Sequence, residues 1–126
     1  MIVTRSDAGY ADTVHRLIGA IEGRQLTVFA RIDHAGAARA VGLEIAPEEV
    51  VIFGNPRAGT PLMQSDARVG IELPLRILVW EDGQGALLGY RDPRELEREY
   101  DVGPHAGVLE NMAALLEGLV AAAARE

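Results

Sequence analysis

Two apolar runs, residues 75–80 and 86–90, are separated only by Glu81-Asp82-Gly83-Gln84-Gly85. Parallel strands need a crossover of a dozen or more residues, so runs this close can pair only as a hairpin. The chain is therefore expected to build its core on an antiparallel sheet. Two further patterns say what covers that sheet. Val14, Leu17, Ile18 and Ile21 recur at helical spacing and predict a helix over 10–22, with Gly23 as its stop. Val108, Met112, Leu115, Leu116 and Leu119 do the same for a last helix over 108–124.

The remaining segments fill in the order. Residues 1–5 and 26–32 read as strands. Asp33 stands where an N-cap belongs, before an alanine-rich helical segment over 34–40 that Gly42 stops. A short apolar strand over 50–53 is led in by the turn Ala46-Pro47-Glu48-Glu49. Thr60 is expected to cap a short helix with Pro61 at its first position, where proline is favoured. Residues 71–73 are expected to pair briefly before Pro74. Asp92-Pro93 opens a polar helical stretch to about Tyr100, with Glu95, Glu97, Arg98 and Glu99 on a solvated face.

The order β-α-β(4)-α with short helical turns predicts an α+β fold: an antiparallel sheet with two long helices packed on one face. A chain of 126 residues is expected to be a single α+β domain, 1–126, long enough to bury a core without disulfide or metal staples. Strand residues such as Phe29, Ile52, Ile77, Val79 and Leu87 leave both sheet faces apolar, so a homodimer that covers the second face is expected.

Composition excludes several chemistries. There is no cysteine, which removes disulfides, thiolate metal sites and cysteine nucleophiles. Lysine is absent too, and all twelve basic residues are arginine, so no Schiff base and no P-loop lysine is available. A net charge of −7 opposes a nucleic-acid surface, which needs a basic stripe. No apolar run approaches the ~18 residues that span a bilayer, and the first residues carry no basic region followed by an apolar stretch. A cytoplasmic protein without a membrane partner is expected. Three scattered histidines show no ligand spacing, so neither metal nor cofactor is expected.

The run Phe53-Gly54-Asn55-Pro56-Arg57-Ala58-Gly59-Thr60-Pro61-Leu62-Met63 concentrates backbone-special residues with polar groups. It has the glycine spacing of a P-loop, but Thr60 and Pro61 stand where lysine and the following serine or threonine belong. Nucleotide hydrolysis is thereby disfavoured. Asn55, Arg57 and Thr60 at a helix start can still hold a small polar or anionic ligand, whereas turn chemistry alone accounts for all of them but Arg57. Asp33 and His34, at a strand end, are the candidate catalytic pair, with His34 as general base and Asp33 or Asp82 orienting it. A plain helix cap explains Asp33 equally well. His15 is expected on the polar side of the first helix and His105 in a connector. Trp80 and Tyr90 on the paired strands, and Met63 beside Leu62, read as core or interface residues.

Several of these segments together resemble the bacterial and archaeal family known as domain of unknown function 302. They are Val28-Phe29-Ala30-Arg31-Ile32-Asp33-His34-Ala35, Phe53-Gly54-Asn55-Pro56, Gly59-Thr60-Pro61-Leu62-Met63-Gln64, Leu73-Pro74-Leu75 and Leu78-Val79-Trp80-Glu81-Asp82. The resemblance runs from the first helix to the last. It implies a TATA-box-binding-protein-like α+β fold, often dimeric, without an assigned activity. A fold name does not carry DNA binding with it. Recurring family positions match Asp33, His34, Gly54, Asn55, Pro56, Gly59, Thr60, Leu62, Met63, Leu73, Pro74, Trp80, Asp82 and Tyr90. The leading expectation is a homodimer that binds a small polar or anionic ligand near residues 54–60, held by Asn55, Arg57 and Thr60 with His34 nearby. The alternatives are an enzyme using His34 and a protein-interaction module without catalysis.

Overall fold

The apolar stripes of the two long helices meet over one sheet. Among residues 1–125, which the computed structural model describes, there are five strands: β1 (Ile2–Arg5), β2 (Thr27–Asp33), β3 (Glu48–Gly54), β4 (Leu75–Asp82) and β5 (Gly85–Tyr90). The helices are α1 (Tyr10–Gly23), α2 (His34–Ala40), α3 (Pro56–Ser65), α4 (Leu96–Glu99) and α5 (Ala106–Ala124). Short 3-10 turns cover Ala67–Glu72, Pro93–Glu95 and Gly103–His105. Glu126, the last residue of the expected domain, lies outside the described residues.

The strands pair antiparallel throughout, in the order β1-β5-β4-β3-β2. Alternation sorts each strand into two faces. Val51 and Phe53 of β3, Ile77 and Val79 of β4, and Leu88 and Tyr90 of β5 are buried under α1 and α5. Leu17 and Ile21 of α1, and Leu116 and Leu119 of α5, fill the layer above them. Each such aliphatic or aromatic side chain contributes about 1.5–3 kcal/mol by leaving water. Residues 103–124 are also long and apolar enough to cross a membrane. Here that segment supplies the roof of the core, with Leu109, Met112, Leu116, Leu119 and Val120 buried.

Four local expectations are corrected. Gly23 does not stop α1: it is the last helical residue, and Gln25 takes the left-handed conformation at φ 59°. Leu26 N–H donates to the Ile21 carbonyl and Gln25 N–H to that of Glu22, the paired bonds of a Schellman ending. Glycine does end α2, where Gly42 has φ 81°. Glu48 and Glu49 belong to β3 rather than to a turn, because Arg31 across the ladder grips Glu49 through both carboxylate oxygens at 2.6 and 3.2 Å. Residues 71–73 do not form a strand; residues 67–72 wind as a 3-10 turn that Asp66 caps. The helix after β3 starts at Pro56, so Thr60 is not its cap and Pro61 lies in its interior. Two Asx/Thr-Pro pairs compete to start that helix, and Asn55-Pro56 wins because it is nearer the strand end and Asn55 caps well.

The candidate pocket at the end of β3

The chain leaves β3 at Gly54 and turns at once into α3. Asn55 accepts the Arg57 N–H at 3.0 Å through its side-chain oxygen. Its backbone carbonyl takes the N–H groups of Ala58 and Gly59. Pro56 needs no partner at the first helical position. Pro61 has no N–H to offer the Arg57 carbonyl four residues back, so α3 lacks one bond of its ladder.

Beside this helix start lies a pocket of about 410 Å3. Leu26, directly before β2, and Phe29 within it form one wall. Asn55, Ala58, Gly59, Thr60 and Met63 from α3 and its entry form the second. Leu73 and Pro74 before β4, with Leu75 at its start, close a third side, and Met112 and Leu115 of α5 the fourth. The lining is mainly aliphatic and aromatic. Its side-chain polar groups are the Asn55 amide and the Thr60 hydroxyl. Arg57 does not line it; with Pro56, Thr60, Pro61 and Gln64 it borders a neighbouring surface depression instead. Met63 stands partly exposed at the pocket rather than filling the core.

The wall facing α3 is fastened from outside. Asp66 accepts the Arg68 N–H at 3.1 Å and the Asp101 N–H at 2.9 Å and pairs with the Arg68 guanidinium. The Arg68 hydrogen bond, then the Asp101 N–H, hold its carboxyl well below the usual carboxylate range. Glu72 takes Arg91 at 2.6 Å and the Tyr100 hydroxyl at 2.8 Å. Under the wall a second apolar cluster, including Leu62, Val69, Leu96 and Leu109, seats the 3-10 turn against α3 and α5.

The register separates the two sequence candidates. Thr27 pairs with Gly54 at one end of β2, and Asp33 pairs with Glu49 at the other. The five-residue step from Gly54 to Glu49 is about 17 Å along a strand. His34 therefore does not stand near Arg57 or the pocket. Asp33 caps α2, accepting the Gly36 N–H at 2.9 Å, and His34 is the exposed first residue of that helix. Asp82 is held by Arg5 at 2.7 and 3.1 Å, which with the Gln84 N–H keeps its carboxyl down at about 2. Among the described residues neither aspartate hydrogen-bonds to His34, and no three His, Asp or Glu side chains come close enough to hold a metal ion. Trp80 and Tyr90 lie on opposite faces: Tyr90 is in the core, and the Trp80 ring lies over Gly89 on the other side of the sheet. The sequence points to the pocket's α3 wall. It gives no signal for Leu26, Phe29, Met112 and Leu115, which converge only in the fold.

The model of the family described as "Domain of unknown function DUF302" matches residues 2–119. A structure titled "Crystal structure of uncharacterized conserved protein DUF302 from Bacillus stearothermophilus" superposes with a TM-score of 0.75, covering 98% of this chain and 94% of that one at 19% identity. A Brucella suis protein named fluoride-specific ion channel FluC 1 is 38% identical over 104 residues, 82% of this chain and 41% of that protein. A Brucella abortus protein of the same name is also 38% identical over 104 residues, 38% of its length. The chain thus spans about two-fifths of the curated relatives it matches. On the match over residues 2–119, the chain belongs to the family described as domain of unknown function DUF302.

Proposed function

We propose that this chain is a binding module for a small, mainly apolar molecule, seated beside residues 54–60 with its polar end at Asn55 and Thr60. The observation that carries this is the pocket itself. Its 410 Å3 lies within the usual range for small-molecule sites, and apolar walls with few convergent polar groups are the usual composition of such sites. Arg57 is not a lining residue of the pocket, so charge is secondary to apolar fit. A second copy of the chain covers the outer sheet face, making the working unit a homodimer. In the longer Brucella proteins we assign the ion conduction that their name describes to the part this chain does not span, and the binding role to the shared segment.

The test is a titration of the full chain with 1-octanol and with octanoate, followed by calorimetry. Both probes are expected to bind. Ala58→Phe, which puts a ring into the pocket, is expected to abolish binding of both while the protein stays folded. A stronger response to octanoate that disappears in Arg57→Ala would restore the anion to first place. No binding of either probe would overturn the assignment.

A further inference from the structure

We propose that two copies of this chain pack outer face to outer face about a two-fold axis that runs across the strands, so that Arg76 of each copy meets Trp80 and Glu48 of the other. The proposal rests on the homodimer reading given above and adds its geometry.

The ladder puts Ile32, Val50, Leu78 and Gly89 in one row across the outer face. Trp80 pairs with both Leu87 and Glu48 in the row on one side, and Arg76 pairs with Ile52 in the row on the other. None of these apolar side chains belongs to either buried cluster. Five strands about 4.8 Å apart, joined by ladders of four to six paired positions at about 3.3 Å each, give roughly 400 Å2 in plan. Side-chain relief raises the accessible area toward the ~800 Å2 per partner of a standard interface.

Charge selects the orientation. Arg5 and Asp82, at the Trp80 end, neutralise one another. Arg76 and Glu48 have no ion-pair partner among the described residues. They sit at opposite ends of the face, separated by the four-residue step from Arg76 to Trp80, about 13 Å, and cannot reach each other within one copy. Two faces packed together by a two-fold axis require that axis to lie in the interface plane. An axis along the strands sets Arg76 near Arg76 and Glu48 near Glu48, and like charges across an interface are costly. An axis across the strands swaps the ends. Each Arg76 then lies over the indole of Trp80, a cation–π geometry, with Glu48 on the adjacent strand. Aligned sheet packing tolerates the ~30° offset this needs.

The test is sedimentation equilibrium of the full chain from about 1 to about 100 μM, with Arg76→Glu, Glu48→Arg and the double reversal. Circular dichroism confirms that each variant is folded. A wild-type dimer is expected, each single reversal should raise its dissociation constant about tenfold or more, and the double reversal should restore it. Trp80, the one tryptophan, should shift its emission to the red as the wild type is diluted to monomer. A wild-type dimer that neither single reversal weakens, or that the double reversal does not restore, overturns the orientation and leaves the dimer standing. A wild type that is monomeric throughout overturns both, and a monomer that co-sediments with phosphatidylglycerol vesicles does so by giving the face to a bilayer.

Discussion

Arg31→Ala and Glu49→Gln cut the same ion pair and should not cost the same. The Glu49 side chain retains 10% of its exposure, whereas that of Arg31 retains 50%. Removing Arg31 leaves a carboxylate inside the protein without a partner, the costly way to break such a pair. A fully buried pair would lose about 3–5 kcal/mol, and the half-exposed arginine discounts this to about 1.5–3 kcal/mol. Glu49→Gln keeps the volume and leaves a guanidinium that can turn to water, for about 0.5–1.5 kcal/mol. Urea unfolding followed by circular dichroism measures both, and each kcal/mol moves the thermal midpoint about 3–5 °C at this size. Tyr10 offers a second readout. Burial first, then the Glu49 and Asp33 carboxylates, push its hydroxyl up to about 12. Its spectroscopic titration should fall in Glu49→Gln and still stay above the ordinary tyrosine value, because the burial remains. Glu49→Gln costing as much as Arg31→Ala, with Tyr10 unmoved, would refute the argument that the carboxylate depends on its arginine.

Two smaller effects follow from the backbone and the aspartates. Gln25→Gly should stabilise the protein by about 0.5–1 kcal/mol, since it relieves the left-handed strain that ends α1, and urea unfolding checks it. Asp66, Asp82 and Asp92 all have carboxyls held below their ordinary value in the folded state, each first of all by a hydrogen bond from a nearby arginine. A depressed carboxyl contributes stability above its unfolded pKa and loses it as pH falls toward the folded one. Thermal midpoints should therefore drop from about pH 4 toward pH 2, and Asp82→Asn should flatten part of that slope.

Much of the fold was legible because its signals are local. Helical spacing at Val14-Leu17-Ile18-Ile21, the Asp33 cap and the Asp82–Gly83 hairpin turn each act within a few residues. What the sequence misplaced depended on neighbours distant in the chain or on a contest between equal local signals. Glu49 reads as a turn residue until Arg31 arrives from β2. Thr60-Pro61 has the marks of a helix start, and only the earlier Asn55-Pro56 pair demotes it. Gln25 carries no sign of a left-handed residue, and Gly23, two residues earlier, draws the expectation. The same division holds at the site. The glycine- and proline-rich run marked one wall of the pocket, but its apolar character comes from Leu26, Phe29, Met112 and Leu115, which two other segments contribute. The gap between His34 and the pocket follows from the β2–β3 register, which no local pattern encodes.

The location of a bound probe tests the central claim most directly. In a 15N-labelled titration with 1-octanol, the amides of Gly54, Gly59 and Gly70 should shift together and saturate, while the outer-face amides of Val50 and Leu78 stay still. Shifts confined to the outer face or to the groove between β1 and α5, with those three glycines unmoved, would contradict a ligand site at the end of β3.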